Sequence, residues 1–285
     1  MSSLSAQSLP GLPEIRAGDD LAELILQALH TEHPLATPLH DGQIVVIAHK
    51  AVSKAEGAVV DLATVTPGER ARALAAEQGK DARAVQVVLD QSTEVLRAAN
   101  GVLISRTHHG FVCANAGVDA SNAAAPADGT SPGNGTGQGS WGDPAGSRHG
   151  EVGSPETLIV LPRDPDASAR ALRARLRELT GASPAVLVTD SFGRAWRHGQ
   201  CDVALGCAGM APLEDWRGRS DSVGLQLRAT WIAVADTAAA CADLARAKDS
   251  REPVVVIDGL ERFVTAEDGP GAAALLRPLE EDLFR

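Results

Sequence analysis

Tyrosine is absent from this 285-residue chain, and phenylalanine and tryptophan contribute only four residues each. Aromatic packing therefore cannot dominate the interior, which Val, Leu, Ile and the many Ala must build. The four cysteines, Cys113, Cys201, Cys207 and Cys241, are scattered without a C-x-x-C pair. That spacing indicates neither a zinc ribbon nor a disulfide framework, and the thiols read as small core residues. No apolar run approaches the roughly 18 residues of a spanning helix, and the N-terminus lacks a basic stretch followed by an apolar one. The expectation is a soluble, cytoplasmic protein with no membrane partner. Lys and Arg number 26 against 37 Asp and Glu, a net charge of −11. So strong an acidic balance argues against a nucleic-acid footprint, and any bound nucleotide should be a small one. Also missing are G-x-x-x-x-G-K-[ST], a G-x-G-x-x-G following a strand, and H-E-x-x-H, so the common phosphate-loop, dinucleotide and zinc-protease readings lack their residues.

What is present is an alternation of apolar runs and amphipathic stretches, long enough for one large domain or two smaller ones, with two favoured. Residues 19–30 open with two acids and space Leu21, Ile25 and Leu29 as a helix. Ile44–Ala48 reads as a strand leading into a bend that Lys50 and Lys54 flank, with apolar character resuming near Val59. Residues 66–79 and 81–97 read as helices, the second followed by a loop, and strands are expected near Val102–Ser105 and Phe111–Ala114. The segment 123–155 is Gly, Ser, Pro and Ala with little to bury, so a flexible insertion is expected there; its Asn134 sequon has no secretion signal to give it relevance. Beyond it, Leu158–Leu161 reads as a strand, 164–180 as a helix ending at Gly181, Ala185–Thr189 as a buried strand, 233–250 as an Ala-rich helix and 253–259 as a last strand.

The stretch Ala185 to Gln200, AVLVTDSFGRAWRHGQ, concentrates the candidate chemistry. Its apolar run delivers Asp190 and Ser191 into an expected turn at a strand's carboxyl end, where open α/β sheets collect ligands. A carboxylate and a hydroxyl placed there could hold a divalent cation and a phosphate, or they could cap the next element. Asp119 with Asn122, Lys50, Lys54 and Lys248 complete a dispersed set. Acids to hold a cation and lysines to offset charge suit phosphoryl transfer, while solvated lysines and an Asx turn at Asp119 are the ordinary alternatives. Adjacent His108 and His109 tend to point apart and make a poor metal pair. His198 reads as a surface histidine, and Arg217, Arg219 and Asp221 as a polar loop able to clamp anions.

Several motifs recur in order: LPGLPEI (9–15), HKAVSKAEG (49–57), AGVDASN (116–122), LPRDPDASA (161–169), TDSFGRAWRHGQCDVALGCAG (189–209) and PVVVIDG (253–259). Together they resemble the coenzyme F420-0:γ-glutamyl ligase family over nearly the whole chain. The resemblance implies a mixed α/β, intertwined two-part fold and a homodimer, as one ligase domain over 1–285. It implies a GTP-dependent amide ligase that phosphorylates a carboxylate of the deazaflavin precursor F420-0, after which L-glutamate displaces phosphate; GDP is released and further γ-linked glutamates can follow. Leu12, Pro13, Glu14 and Ile15 match the family's N-terminal nucleotide contact, Lys54 its phosphate-binding lysine and Asn122 a further GTP contact. Asp119 and Asp190 match the carboxylates on a first Mg²⁺ or Mn²⁺, and Ser191 the hydroxyl of a second; K⁺ is also suggested. Lys54 and Asp190 are thus the residues expected to take part in catalysis. Departures fall at His49, assigned to GTP where the family often has a small polar residue, and at Arg246-Ala247-Lys248, where archaeal members carry Met-Gly-Gln with the Gln near the second metal. A protonated lysine cannot ligate a metal but can contact phosphate, so Lys248 is assigned to the nucleotide. A ligase for another acceptor, and a GTP-binding regulator without chemistry, are the rival readings.

Overall fold

The computed structural model describes residues 3–31, 38–120 and 156–282. Asn122, the 123–155 segment and its sequon lie outside the described residues. The chain divides into a larger unit, Met1–Ala55 with Pro162–Arg285, and a smaller one, Glu56–Leu161. Elements of both classes alternate, giving the mixed α/β class expected.

The larger unit begins with β1 (Ser5–Ser8), α1 (Leu21–Thr31), β2 (Ile44–Ala48) and α2 (His49–Ala55). Asp20 caps α1 by accepting the N–H groups of Ala22 and Glu23 at 3.1 and 3.2 Å, as the paired acids suggested. The expected bend at Lys50 and Lys54 is instead the helix α2, in which Ala51 and Val52 are buried against the core. Burying those side chains outweighs the weak local preference of a seven-residue segment, which would not hold a helix alone.

The smaller unit follows with β3 (Val59–Asp61), α3 (Glu69–Gln78), α4 (Ala82–Asp90), β4 (Ser92–Ala99), β5 (Val102–Thr107), β6 (Val112–Ala114) and β7 (Thr157–Ile159). Its sheets are antiparallel, β4-β5-β6 and β3-β7. Residues 92–97, expected to be the end of a helix followed by a loop, form β4, paired to β5 through a two-residue turn at Asn100 (φ 53°) and Gly101 (φ 74°). Positive φ at both positions is the hairpin geometry that Asn-Gly favours. Two small cores hold the unit, one around Val85, Val88 and Leu103 and one around Leu62, Val87 and Leu158.

The chain then returns to the larger unit with α5 (Pro165–Thr180), β8 (Ala185–Arg194), β9 (Arg197–Ala208), β10 (Leu213–Asp215), β11 (Trp231–Ala233), α6 (Val234–Ala245) and β12 (Val254–Asp258). The α6 helix stops at Ala245 rather than running to 250. A five-stranded sheet has the order β1-β12-β2-β8-β9; only β2 and β8 pair in parallel. Val45, Ile47, Val186 and Val188 meet α1, α2 and α5 on one face, while Ile44, Val46, Ala185 and Leu187 meet α6 on the other. Burial on both faces is why these strands read as unbroken apolar runs. The alanines Ala235, Ala238, Ala239 and Ala242 let α6 pack closely on the sheet.

Candidate functional site

Pairing of β2 with β8 runs from Ile44 opposite Ala185 to Ala48 opposite Thr189, and at that carboxyl end the two strands diverge. β2 passes into α2 at His49. β8 does not turn at Asp190 and Ser191 as expected; after an irregularity between Val188 and Thr189 it continues to Arg194, with Asp190 opposite Val203 and Ser191 opposite Asp202. The turn comes later, at Ala195 and Trp196. Pairing with β9 supplies backbone partners that the polar sequence TDSFGR does not reveal. Because successive strand residues face opposite ways, Asp190 points to the α2 side and Ser191 to the α6 side. Their neighbours bear this out.

On the α2 side, Asp190 Oδ1 accepts the Ser191 N–H at 2.8 Å and lies 3.3 Å from His49 Nε2. The latter is a close approach rather than an aligned hydrogen bond, since Nε2 has no hydrogen-bond partner. The His49 ring is only 2% exposed, with Ser53 Oγ 3.5 Å from Nδ1 one helical turn away. The structure thus places His49, expected to contact the nucleotide, directly beside the Asp190 carboxylate. Both contacts fall on Oδ1.

On the α6 side, a polar network surrounds Asp202, a residue the sequence reading did not single out. Its carboxylate is buried and accepts the Thr189 hydroxyl at 3.0 Å and the Ser191 hydroxyl at 2.6 Å, and it pairs with the Arg246 guanidinium. Lys248 Nζ lies 3.6 Å from Asp202 Oδ1, donates to Ser191 Oγ at 2.5 Å and pairs with Asp243 at 2.8 Å. Burial works to raise the Asp202 carboxyl, but the Ser191 hydrogen bond, the Arg246 and Lys248 charges and the Thr189 hydrogen bond outweigh it and hold the group below the usual carboxylate range. A lone acid in the otherwise apolar CDVALGCA of β9 was the available signal.

The N-terminal segment expected to contact the nucleotide is anchored by Leu9 and Ile15, both buried, with Leu12 packed against the same core. Glu14 remains exposed and pairs with Lys54 in the last turn of α2, so the structure brings two of the expected nucleotide residues together. The Lys54 side chain is largely covered.

In the smaller unit, Asp119 follows three consecutive left-handed residues, Asn115 (φ 51°), Ala116 (φ 54°) and Gly117 (φ 71°). Asn115 Oδ1 steadies the turn by accepting from Leu103 N at 3.2 Å and Lys80 Nζ at 3.1 Å. Burial pushes the Lys80 ammonium down to about 8. A Cβ at Gly117 would lie 2.8 Å from the Leu161 side chain, so only glycine fits. Asp119 itself exchanges both backbone hydrogen bonds with Ile159, at 2.9 and 2.8 Å.

The remaining candidates are engaged elsewhere. His108 Nε2 contacts Asp90 O at 2.7 Å, while His109 stacks on Phe111. Arg217 forms a bidentate pair with Asp215 and covers Trp231, Arg219 lies over Trp216, and Asp221 accepts the N–H groups of Val223 and Leu225 within its own loop. Burial raises the Cys207 thiol to about 12, as suits a core residue. Among the described residues no group of three or more His, Cys, Asp or Glu could hold a metal ion by itself, and no helix is long and apolar enough to cross a membrane.

Comparison with known proteins matches residues 11–259 to the family model of F420-0:Gamma-glutamyl ligase. The chain is 38% identical over 283 residues to "Coenzyme F420:L-glutamate ligase" of Methanothermobacter thermautotrophicus, covering 99% of each chain. It is 37% identical to the protein of the same name from Methanopyrus kandleri, covering 100% of this chain and 99% of that one. With the Archaeoglobus fulgidus protein, again so named, identity is 38% over 96% of this chain and 94% of the relative.

Proposed function

The chain belongs to the F420-0:gamma-glutamyl ligase family, and on that premise we propose that it joins L-glutamate to coenzyme F420-0 at the expense of GTP. A free carboxylate is a poor electrophile at neutral pH. Transfer of the γ-phosphoryl group to the F420-0 carboxylate makes an acyl phosphate and GDP; the glutamate amine then attacks the acyl carbon, phosphate leaves and the amine loses a proton. Repeating the step lengthens a γ-linked chain. The observation that carries the reading is Asp190, at the carboxyl end of the parallel pair β2 and β8, where its carboxylate accepts the Ser191 N–H and lies beside the buried His49 ring.

Lys54 is the cation proposed for the phosphates, its ammonium already set beside Glu14 in the nucleotide segment Leu12–Ile15. Lys248, whose side chain is well exposed beside Ser191 on the α6 side, keeps the nucleotide contact assigned to it from the sequence. A divalent ion, Mg²⁺ or Mn²⁺, supplies charge screening between the phosphates and the acceptor carboxylate when bound. One partly exposed carboxylate with one engaged oxygen fits such an ion, which takes few protein carboxylates and completes its shell with phosphate oxygens and water. Asp119 keeps the metal-ligand role, and Asn122 the GTP contact, that the resemblance implies. A K⁺ requirement and a homodimer are proposed on the same ground. The exposed Trp196, Val223 and Leu225 of the larger unit are apolar surface that a second copy could cover.

The test is phosphate release from GTP with Mg²⁺ or Mn²⁺, L-glutamate and F420-0, in K⁺ and in Na⁺, with product mass read alongside. A gain of one or more glutamyl units that requires both GTP and metal is expected. GTP binding without a mass gain would defeat F420-0 as the acceptor and favour a ligase for another acceptor or the regulatory reading.

A further inference from the structure

The α6 side of β8 bears on how many metal ions the chain uses. Lys248 Nζ is surrounded by three oxygens from three elements: Ser191 Oγ of β8 at 2.5 Å, Asp243 Oδ1 of α6 at 2.8 Å and Asp202 Oδ1 of β9 at 3.6 Å. A hydroxyl and two carboxylates converging on one point form the donor set of a hard cation, and here that point holds an ammonium. The Ser191 hydroxyl spends its proton on Asp202 at 2.6 Å and receives Lys248 on one of its two lone pairs, so an ammonium already stands where a metal ion would approach this oxygen. Charge is already balanced, because Asp202 and Asp243 face Arg246 and Lys248. A divalent ion would therefore meet no net negative charge and would be repelled by an ammonium a few ångströms away. The donor set does not fit the second divalent ion that the resemblance assigned to Ser191.

Resting on the proposed metal- and GTP-dependent reaction, we infer that Lys248 is a built-in monocation occupying that second position, and that each chain binds a single divalent ion, on the Asp190 side. Asp190 and Ser191 face opposite sides of the sheet, so loading one side leaves the other to the lysine. Arg246 is a positioning residue in this arrangement: by pairing with the buried Asp202 it keeps that carboxylate ionised and so able to accept the Ser191 hydroxyl.

The experiment is a count of bound Mn²⁺ by equilibrium dialysis of the full chain with GTP, combined with electron paramagnetic resonance of the bound ions. Wild type should saturate at one Mn²⁺ per chain with an uncoupled spectrum. Lys248→Gln, which removes the charge and offers an amide oxygen, should take up a second ion that couples magnetically to the first; Lys248→Arg should stay at one. The Lys248 side chain is 65% exposed, so these variants should fold. Two ions in wild type, one in Lys248→Gln, or two in Lys248→Arg would each overturn the inference. No bound Mn²⁺ in any of the three would defeat the metal-dependent reading itself and the inference with it.

Discussion

Asp190 in the larger unit lies in mid-strand, paired on β9 and backed by a buried histidine, whereas Asp119 in the smaller unit follows three left-handed residues and is tied by one isolated bridge to Ile159. The first arrangement relies on sheet pairing and side-chain electrostatics, which leave the backbone relaxed. The second relies on backbone conformations that cost of order 1 kcal/mol or more at Asn115 and Ala116, sustained by burial and by the Asn115 amide. Two carboxylates expected to share a role thus differ in what would disturb them: the larger unit should be sensitive to charge, the smaller to shape.

The sharpest test of the larger unit is Asp190→Ala. It should lower kcat/KM by about a hundredfold or more, with the unfolding free energy changed by no more than about 1 kcal/mol. Near-normal turnover in the folded variant would remove Asp190 from the chemistry. Asp202→Ala comes next, because it strands the buried Arg246 guanidinium without a counter-charge. Urea titration should show a loss of about 3–5 kcal/mol, and a loss below about 1 kcal/mol would mean that water or a neighbour compensates the charge.

For the smaller unit, Gly117→Ala puts a methyl against Leu161 at a φ that alanine adopts poorly. A loss of about 1–3 kcal/mol is expected, read as a lower denaturant midpoint, with no dependence on salt. A salt-dependent loss would break the contrast with the charge-held unit. Lys80 tests the same contrast from the other side, as a half-buried charge within the shape-held unit. Its folded-state value of about 8 lies below the ordinary 10.5, so between these values the unfolded chain binds more protons and stability rises with pH; below pH 8 the buried ammonium opposes folding in full. Lys80→Met should abolish that rise, and denaturant midpoints taken near neutrality and near pH 10 would reveal it. A rise that survives the substitution must come from another group.

Strands buried on both faces were legible because four or five consecutive apolar residues bounded by Pro, Gly or Asp have few other destinations; β2, the first half of β8 and β12 were all found this way. The starts of α1 and α5 were legible for a similar reason, since the acids that open them, Asp20 and Asp164, act on N–H groups two or three residues on. The far half of β8 was not, as TDSFGR has no pattern of its own and becomes strand only when β9 pairs with it. Likewise α2 exists because Ala51 and Val52 find a core, and His49 faces Asp190 because β2 and β8 happen to be neighbours.

The family, the fold class and the identities of Asp119, Asp190, Ser191, Lys54 and Lys248 as residues of interest were determined by the sequence alone, through local runs and motifs that need no partner to be recognised. Which of them face one another was decided only by the tertiary structure. Asp202, Arg246 and Lys248 meet at Ser191 across strands and a helix far apart in the chain, and a contact between charged groups depends on distance in space, to which spacing along the chain is blind.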